Sequence, residues 1–478
     1  MSVVDEQPAG VRAATDPPAR AGLVLGVACL CQLMVVLDIS VVNVALPRIG
    51  ADLGFAPGSL SWVVNAYTLV FGGLLLLGGR IADLVGHRRT LVVALAAFGL
   101  ASVLGGLATT PGELIAARGG QGLAAAVLAP VTLTVILVTF PEGPARRRAI
   151  AVWSMVAAAG SAFGVLLSGV LTEYLDWRWV LFVNVPIVAA ALPLALAGVR
   201  DLRRPSAGRL DVVGAVLATA SMTLLVLATV YAGEHGWSGT TTLVGLIGSV
   251  VTAAGFAYWE LRVASQPLVR FGIFRVRTVW VADLIVVFIG AATLGGFYFA
   301  SLFLQEVLHY SPVKAGAAFL PFCFGIVVGS FTSAKLAARF GNRVLLSVGS
   351  LLGAAGMLGF SLLDTGSTFW SFLVPSLVAS VGIGACMVAN TAMGTSGVAP
   401  QEAGLVSGLL NTSRQVGASV ALAVLTTVAV STIHHDSSLK ALSRGYSHAF
   451  AVAGSFVLVA ALVAVLFVPG RPKAVAAD

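Results

Sequence analysis

Four ionisable residues stand inside otherwise apolar stretches of the chain: Asp38, Arg118, Asp283 and Arg414. A charge held in hydrocarbon is costly and seldom persists without a partner or a task such as moving a proton or an ion. Asp38 lies in LDISVVNVALP (Leu37 to Pro47), inside the apolar run Gly22 to Leu46, with Ser40 and Asn43 beside it. A carboxyl at that depth can take up and release a proton, or it can be a static packing group. Arg118, in LIAARGGQGLAAA (Leu114 to Ala126), lies about two helical turns from the outer end of its stretch, as Asp38 does from its own. Equal depth allows a charge pair, which lowers the cost of both charges. Arg414 falls near the middle of another stretch beside Asn411 and Gln415, and Asp283 lies about one and a half turns inside a fourth. Asp38 and Asp283 are read as the only deep acids, and the partners of Asp283 and Arg414 are left open.

The elements that must hold these residues are membrane-spanning helices. Of 478 residues, 58% are hydrophobic and only 10% charged, against about a quarter charged in a soluble protein. Stretches long enough to cross a bilayer fall near 22–46, 59–79, 91–110, 112–139, 149–172, 178–199, 211–232, 241–259, 279–305, 314–333, 344–363, 369–396, 403–431 and 446–468. That makes fourteen, so both termini lie on one side. With the N-terminus inside, 21 of the 28 Lys and Arg residues fall in inner segments and five in outer ones, so the net charge of +8 signals orientation and not nucleic-acid binding. The first span is read as retained and not as a cleaved signal. Cys29, Cys31, Cys323 and Cys386 all fall within spans, which argues against a structural disulfide.

Two basic turns resemble each other, RIADLVGHR (Arg80 to Arg88) and KLAARFGNR (Lys335 to Arg343), 255 residues apart and identical at three of nine positions. Each follows a second span and precedes a third, as a duplicated six-span unit requires, and the offset leaves room for two further spans between the copies. The expected organisation is an inner tail 1–21, a six-helix bundle 22–199, a linker with two added spans 200–278, a second six-helix bundle 279–468, and an inner tail 469–478. Small residues at Gly160, Gly164 and Gly169 allow close helix packing in the fifth span. A cavity between the bundles would be apolar and aromatic with few polar groups. Its candidate lining residues are Asn43, Trp62, Asn65, Tyr67, Phe297, Tyr298, Asn411 and Gln415. Phosphate loops, metal-ligand spacing and convergent nucleophiles are absent, so no enzyme, nucleotide, metal or cofactor is expected.

LDISVVNVALP, GRIADLVGHRR (Gly79 to Arg89), WRWVLFVNVPI (Trp177 to Ile187) and GLVSGLLNTSRQVG (Gly404 to Gly417) together resemble the major facilitator superfamily. More narrowly, they resemble its fourteen-span drug:proton antiporter branch, over about residues 22 to 468. The resemblance implies an all-α polytopic fold of two six-helix bundles with two helices inserted between them. It implies efflux of amphipathic drugs or antibiotics by alternating access, with protons as the coupling ion. Asp38 would exchange the proton while Arg118 tunes it, and Asp283 and Arg414 are further coupling candidates. Gly79, Asp83, Gly86, Arg88, Arg89, Arg339 and Arg343 would form an inner latch between bundles. Where the branch has proline and glycine in span five, this chain has Val165 and Ser168, which leaves the antiport direction open. A dedicated exporter of one endogenous metabolite, such as an antibiotic or siderophore, is the alternative, and a non-transporting receptor a remoter one. The expected setting is the bacterial cytoplasmic membrane, as a monomer with both termini cytoplasmic, its partners being the lipid bilayer and a small-molecule substrate.

Overall fold

A computed structural model describes residues 20–56, 58–141, 143–199, 211–396, 398, 402–433 and 438–470. The two expected tails and the linker residues 200–210 therefore lie almost wholly outside the described residues. Fourteen helices are long and apolar enough to cross a membrane. They are α1 (Ala21–Leu53), α2 (Trp62–Ala82), α3 (His87–Gly106), α4 (Pro111–Thr139), α5 (Pro144–Tyr174), α6 (Trp179–Gly198), α7 (Val212–Ala232), α8 (Thr240–Arg262), α9 (Arg277–Val307), α10 (Pro312–Ala337), α11 (Arg339–Phe360), α12 (Phe369–Thr395), α13 (Gly404–Ile433) and α14 (Leu439–Phe467). The fourteen-span, all-helical expectation is met.

Helices α1 to α6 pack among themselves, as do α9 to α14, while α7 and α8 form a hairpin set against α2 and α13. The two bundles meet along three seams: α2 against α13, α5 against α10, and α1 against α9. Helix α7 touches both α2 and α13, so the inserted hairpin covers one inter-bundle seam.

Local chemistry explains how these helices meet. Pro47 lies inside α1, where a missing N–H releases the carbonyl four residues earlier, that of Asn43. In a membrane such a carbonyl must find another donor. Ser301 Oγ of α9 supplies it at 2.7 Å, and Gln305 Nε2 reaches the next carbonyl, Val44, at 2.9 Å. The proline thus opens a docking point for the opposite bundle. In α4, Pro130 leaves the Ala126 carbonyl free in the same way, and Gly78 of α2 packs directly against that backbone, where a Cβ would collide.

The two basic turns are conformational copies. Gly86 (φ 105°, ψ 137°) and Gly341 (φ 77°, ψ 164°) both break helical geometry with a positive φ that favours glycine. They stand 255 positions apart, at equivalent places in the repeated nonapeptide.

Several boundaries differ from the sequence reading. Helix α1 runs through Pro47 to a left-handed cap at Gly54 (φ 68°) and does not end at residue 46. Helix α9 runs on to Val307 and takes Glu306 into the span. At the inner end of α8, Glu260 is buried beside Asp211, accepting from the backbone N–H groups of Leu268 and Val269 at 3.3 and 3.2 Å. The deep acids are therefore not confined to Asp38 and Asp283.

Candidate functional site

Asp38 is wholly buried and Arg118 is 2% exposed, and the two meet with Arg118 Nη1 donating to Asp38 Oδ2 at 2.5 Å. Two amides complete the shell: Gln121 Nε2 and Asn184 Nδ2 each donate to Asp38 Oδ1 at 2.9 Å. Gln121 is itself held by Ser102 Oγ at 2.8 Å and by Arg118 Nη1 at 2.8 Å. The guanidinium also donates from Nε to the Val63 carbonyl at 3.0 Å, and it lies over the Tyr67 ring at 4.6 Å from the centroid. Helices α1, α2, α3, α4 and α6 thus converge on one charge pair.

Each helix is set so that its side chain arrives. A capping box opens α4, with Thr110 Oγ1 accepting from the Glu113 N–H at 3.3 Å and Glu113 Oε2 accepting from the Thr110 N–H at 3.3 Å. It fixes the entry of the helix two turns before Arg118. Arg118 and Gln121, three residues apart, share one helical face. Gly164 of α5 packs on the Leu37 carbonyl and Ser40, and Gly160 packs on Leu33, so α5 lies tight against the turn of α1 that carries Asp38. Gly169 packs instead on the Pro312 carbonyl and Val313 of α10. The two positions that depart from the branch motif also make contacts, since Ser168 Oγ donates to the Val41 carbonyl and Gly316 packs on the Val165 carbonyl.

The second pair of charges is not joined in this way. Asp283 Oδ2 accepts from Ser413 Oγ at 3.0 Å, while its Oδ1 is buried without a hydrogen-bond partner. Arg414 Nη2 donates to Asn411 Oδ1 at 2.7 Å, and the Arg414 backbone packs against Gly290. Among the described contacts, no ion pair links Asp283 to Arg414.

The expected cavity residues are dispersed. Tyr67 lies beneath Arg118, and its hydroxyl is buried without a partner. Asn65 Oδ1 accepts from Ser419 Oγ at 2.8 Å, and Gln415 packs on Gly72, so both serve the α2–α13 seam. Asn43 donates to the Ile39 carbonyl at 2.9 Å and belongs to the α1–α9 seam. Trp62 packs with Val226 and Val230 of the inserted hairpin. Phe297 stacks on Phe319 at 5.1 Å inside the second bundle. Of the eight, only Tyr298 lines the larger described cavity, while Phe297 lines a smaller one and Asn411 is held by Arg414 of its own helix.

At the inner turns, Gly79 faces Pro130, Arg80 donates to Gln266 in the linker before α9, and Arg343 Nη2 donates to the Val465 carbonyl of α14 at 2.6 Å. Arg88 is half-buried, Arg89 is exposed, and Arg339 lies over the Phe340 ring. The side chain of Asp83 lies outside the described residues.

Sequence reasoning passed over Gln121, Asn184 and Ser102 as site residues. The first two stood in the strings LIAARGGQGLAAA and WRWVLFVNVPI, and the usable signal was an amide inside an apolar span. Glu306 lies one residue beyond 305, where the apolar run gives the span its end, and the helix continues to Val307.

Residues 28–422 match the family model described as Major Facilitator Superfamily. The chain is 44% identical to the cephamycin export protein CmcT of Amycolatopsis lactamdurans, over 94% of this chain and 93% of that one. It is 40% identical to a puromycin resistance protein of Streptomyces alboniger, over 96% and 93%. Among solved structures, a bacterial homolog of the human lysosomal transporter Spinster, inward-facing and unoccupied, superposes with a TM-score of 0.69 at 17% identity, over 94% of this chain and 97% of that one. That last likeness concerns the fold alone.

Proposed function

The chain belongs to the Major Facilitator Superfamily, and on that premise we propose that it exchanges protons moving inward for amphipathic small molecules moving outward. It is a multi-pass membrane transporter of the drug- and antibiotic-export kind. The observation that carries the exchange is the buried cluster of Asp38, Arg118, Gln121 and Asn184.

In the described state the Asp38 carboxylate accepts three N–H donors. A protonated Asp38 needs an acceptor for its new O–H. Asn184 Oδ1 is buried and unpartnered, so half a turn of that amide presents an oxygen where an N–H now stands. Arg118 keeps its bonds to Val63 and Gln121 whichever form Asp38 takes. The shell can therefore hold both forms, as a proton carrier requires. A charge crossing 100 mV supplies about 2.3 kcal/mol, which sustains roughly a fiftyfold substrate gradient per proton.

Alternating access would rock the bundles about the α2–α13, α5–α10 and α1–α9 seams. The charge distribution supports a cytoplasmic-membrane location with both termini inside, and a single chain holds the whole cluster, so a monomer suffices. No cofactor enters the scheme. The test is transport in proteoliposomes under an imposed pH gradient. Export of a drug panel should rise with the gradient, and adding substrate should dissipate it. Flux indifferent to the gradient would overturn proton exchange.

A second reading is that one endogenous product is the cargo, and it is favoured by relatives named for single antibiotics. Deleting the gene and profiling the host's own products against a drug panel separates the two. A sole defect in exporting one host compound would decide for the dedicated exporter.

A further inference from the structure

The start of α10 leaves one backbone donor without an acceptor in its own bundle. Ser311 is the N-cap, and its Oγ accepts from the Lys314 N–H at 3.4 Å. Pro312 follows at the first helical position, where it has no N–H to give. The Val313 N–H is the remaining donor of that turn, and Glu173 Oε2 at the outer end of α5 accepts it at 2.8 Å. The Ser311 hydroxyl donates to the same carboxylate. This contact joins the two bundles, and the backbones beneath it touch. A Cβ on Gly169 would collide with the Pro312 carbonyl, and one on Gly316 with the Val165 carbonyl. Glu173 and Ser311 are both exposed, at the end of the molecule remote from the basic turns. Ser301 and Gln305 also cross to α1 in the outer half, and Ser419 to Asn65, but none of these is charged. A cavity of about 530 Å³, with Pro47, Glu306 and Thr426 in its walls, separates the outer ends of α1, α9 and α13, so the α5–α10 seam is the tighter closure.

Resting on the alternating-access reading above, we infer that Glu173 is a latch of the outer gate, holding α5 to the start of α10 while the outside is closed and releasing it when the outside opens. A carboxylate on free N–H groups at a helix start is favoured by charge-assisted hydrogen bonding and by the helix dipole. Arg48 of α1 adds a positive charge nearby, while the Lys314 ammonium sits over the Tyr310 ring at 3.7 Å. The task falls to α5 because proline removes one donor and Ser311 is committed to another, so only the opposite bundle serves Val313. Opening exchanges these bonds for bonds to water, since the carboxylate is already exposed. The latch therefore biases the two states by a modest factor and does not lock either. Glu173 shares no described contact with the Asp38 cluster, so it sets the balance of states without carrying the proton.

The test follows the opening of that seam from outside. Val165, 1% exposed at the α5–α10 seam and about two turns beneath Glu173, is replaced by cysteine in the full-length protein. Right-side-out membrane vesicles receive a membrane-impermeant thiol reagent, and labelling is located by peptide mass spectrometry. Glu173→Ala should speed labelling of Val165→Cys by about fivefold. Glu173→Gln keeps an acceptor and loses the charge, so it should have a smaller effect. Val180→Cys, buried within the first bundle near the same end, reports general loosening and should label no faster. Unchanged labelling of Val165→Cys in Glu173→Ala, or an equal rise at Val180→Cys, would overturn the latch. Unchanged labelling together with intact gradient-driven export would sink the latch alone. Faster labelling confined to Val165→Cys, without any gradient-driven export by the unaltered protein, would sustain the latch and sink the exchange reading.

Discussion

Around Asp38 the cost of a carboxylate in the membrane is met by donors placed by two other helices, and removing any one of them leaves the others facing an incomplete shell. Arg118→Ala would strand Asp38 and should cost about 3–5 kcal/mol of stability, read as a clear fall in the melting temperature of the purified protein. Arg118→Lys keeps the charge but loses the planar fork that reaches Asp38, Val63 and Gln121 together, so it should fold yet transport poorly. Asn184→Leu tests the acceptor role. It should slow gradient-driven export by about tenfold, yet leave the gradient-independent exchange of Asp38→Asn unaffected when the two are combined. Additive losses in that double variant would mean that Asn184 acts independently of the proton. The pair itself was legible in the sequence, because two charges at like depth in apolar runs have few ways to coexist. Gln121 and Asn184 were not, since an amide in a span marks a polar contact without saying with what, and only the packed structure shows where it points.

Proline and glycine act at the scale of the helix, where they decide which backbone groups a neighbour can reach. Pro47→Ala should restore the intrahelical bond to the Asn43 carbonyl and displace Ser301, loosening the α1–α9 seam by about 1 kcal/mol. Cross-linking yield between cysteines placed on α1 and α9 would report that change, and an unaltered yield would count against it. Gly86 and Gly341 hold the two inner turns at positive φ, so alanine at either should cost about 1–2 kcal/mol and lower the level of folded protein in the membrane. The repeat of these turns could be seen in nine residues because the backbone demand fell on glycine in both copies. Helix ends were less legible. Nothing in the composition of α1 or α9 announces where the bilayer stops, and the extension of α9 by two residues brought Glu306 into view.

For the whole molecule, the pattern of charge and apolar length foretold fourteen spans, a duplicated unit and the inserted hairpin, since bilayer thickness imposes those lengths on any such chain. It could not foretell that α7 would bridge α2 and α13, or that half of the candidate lining residues would be spent on seams between helices, because both depend on which face of each helix turns inward. Two carboxyls stand apart, Asp38 enclosed in one bundle and Glu306 in the cavity between bundles. The central claim concerns the first. In proteoliposomes, Asp38→Asn should still exchange labelled for unlabelled substrate at equal concentrations on both sides, yet fail to accumulate substrate against its gradient when a pH difference is imposed. Accumulation by Asp38→Asn at the rate of the unaltered protein would contradict the account.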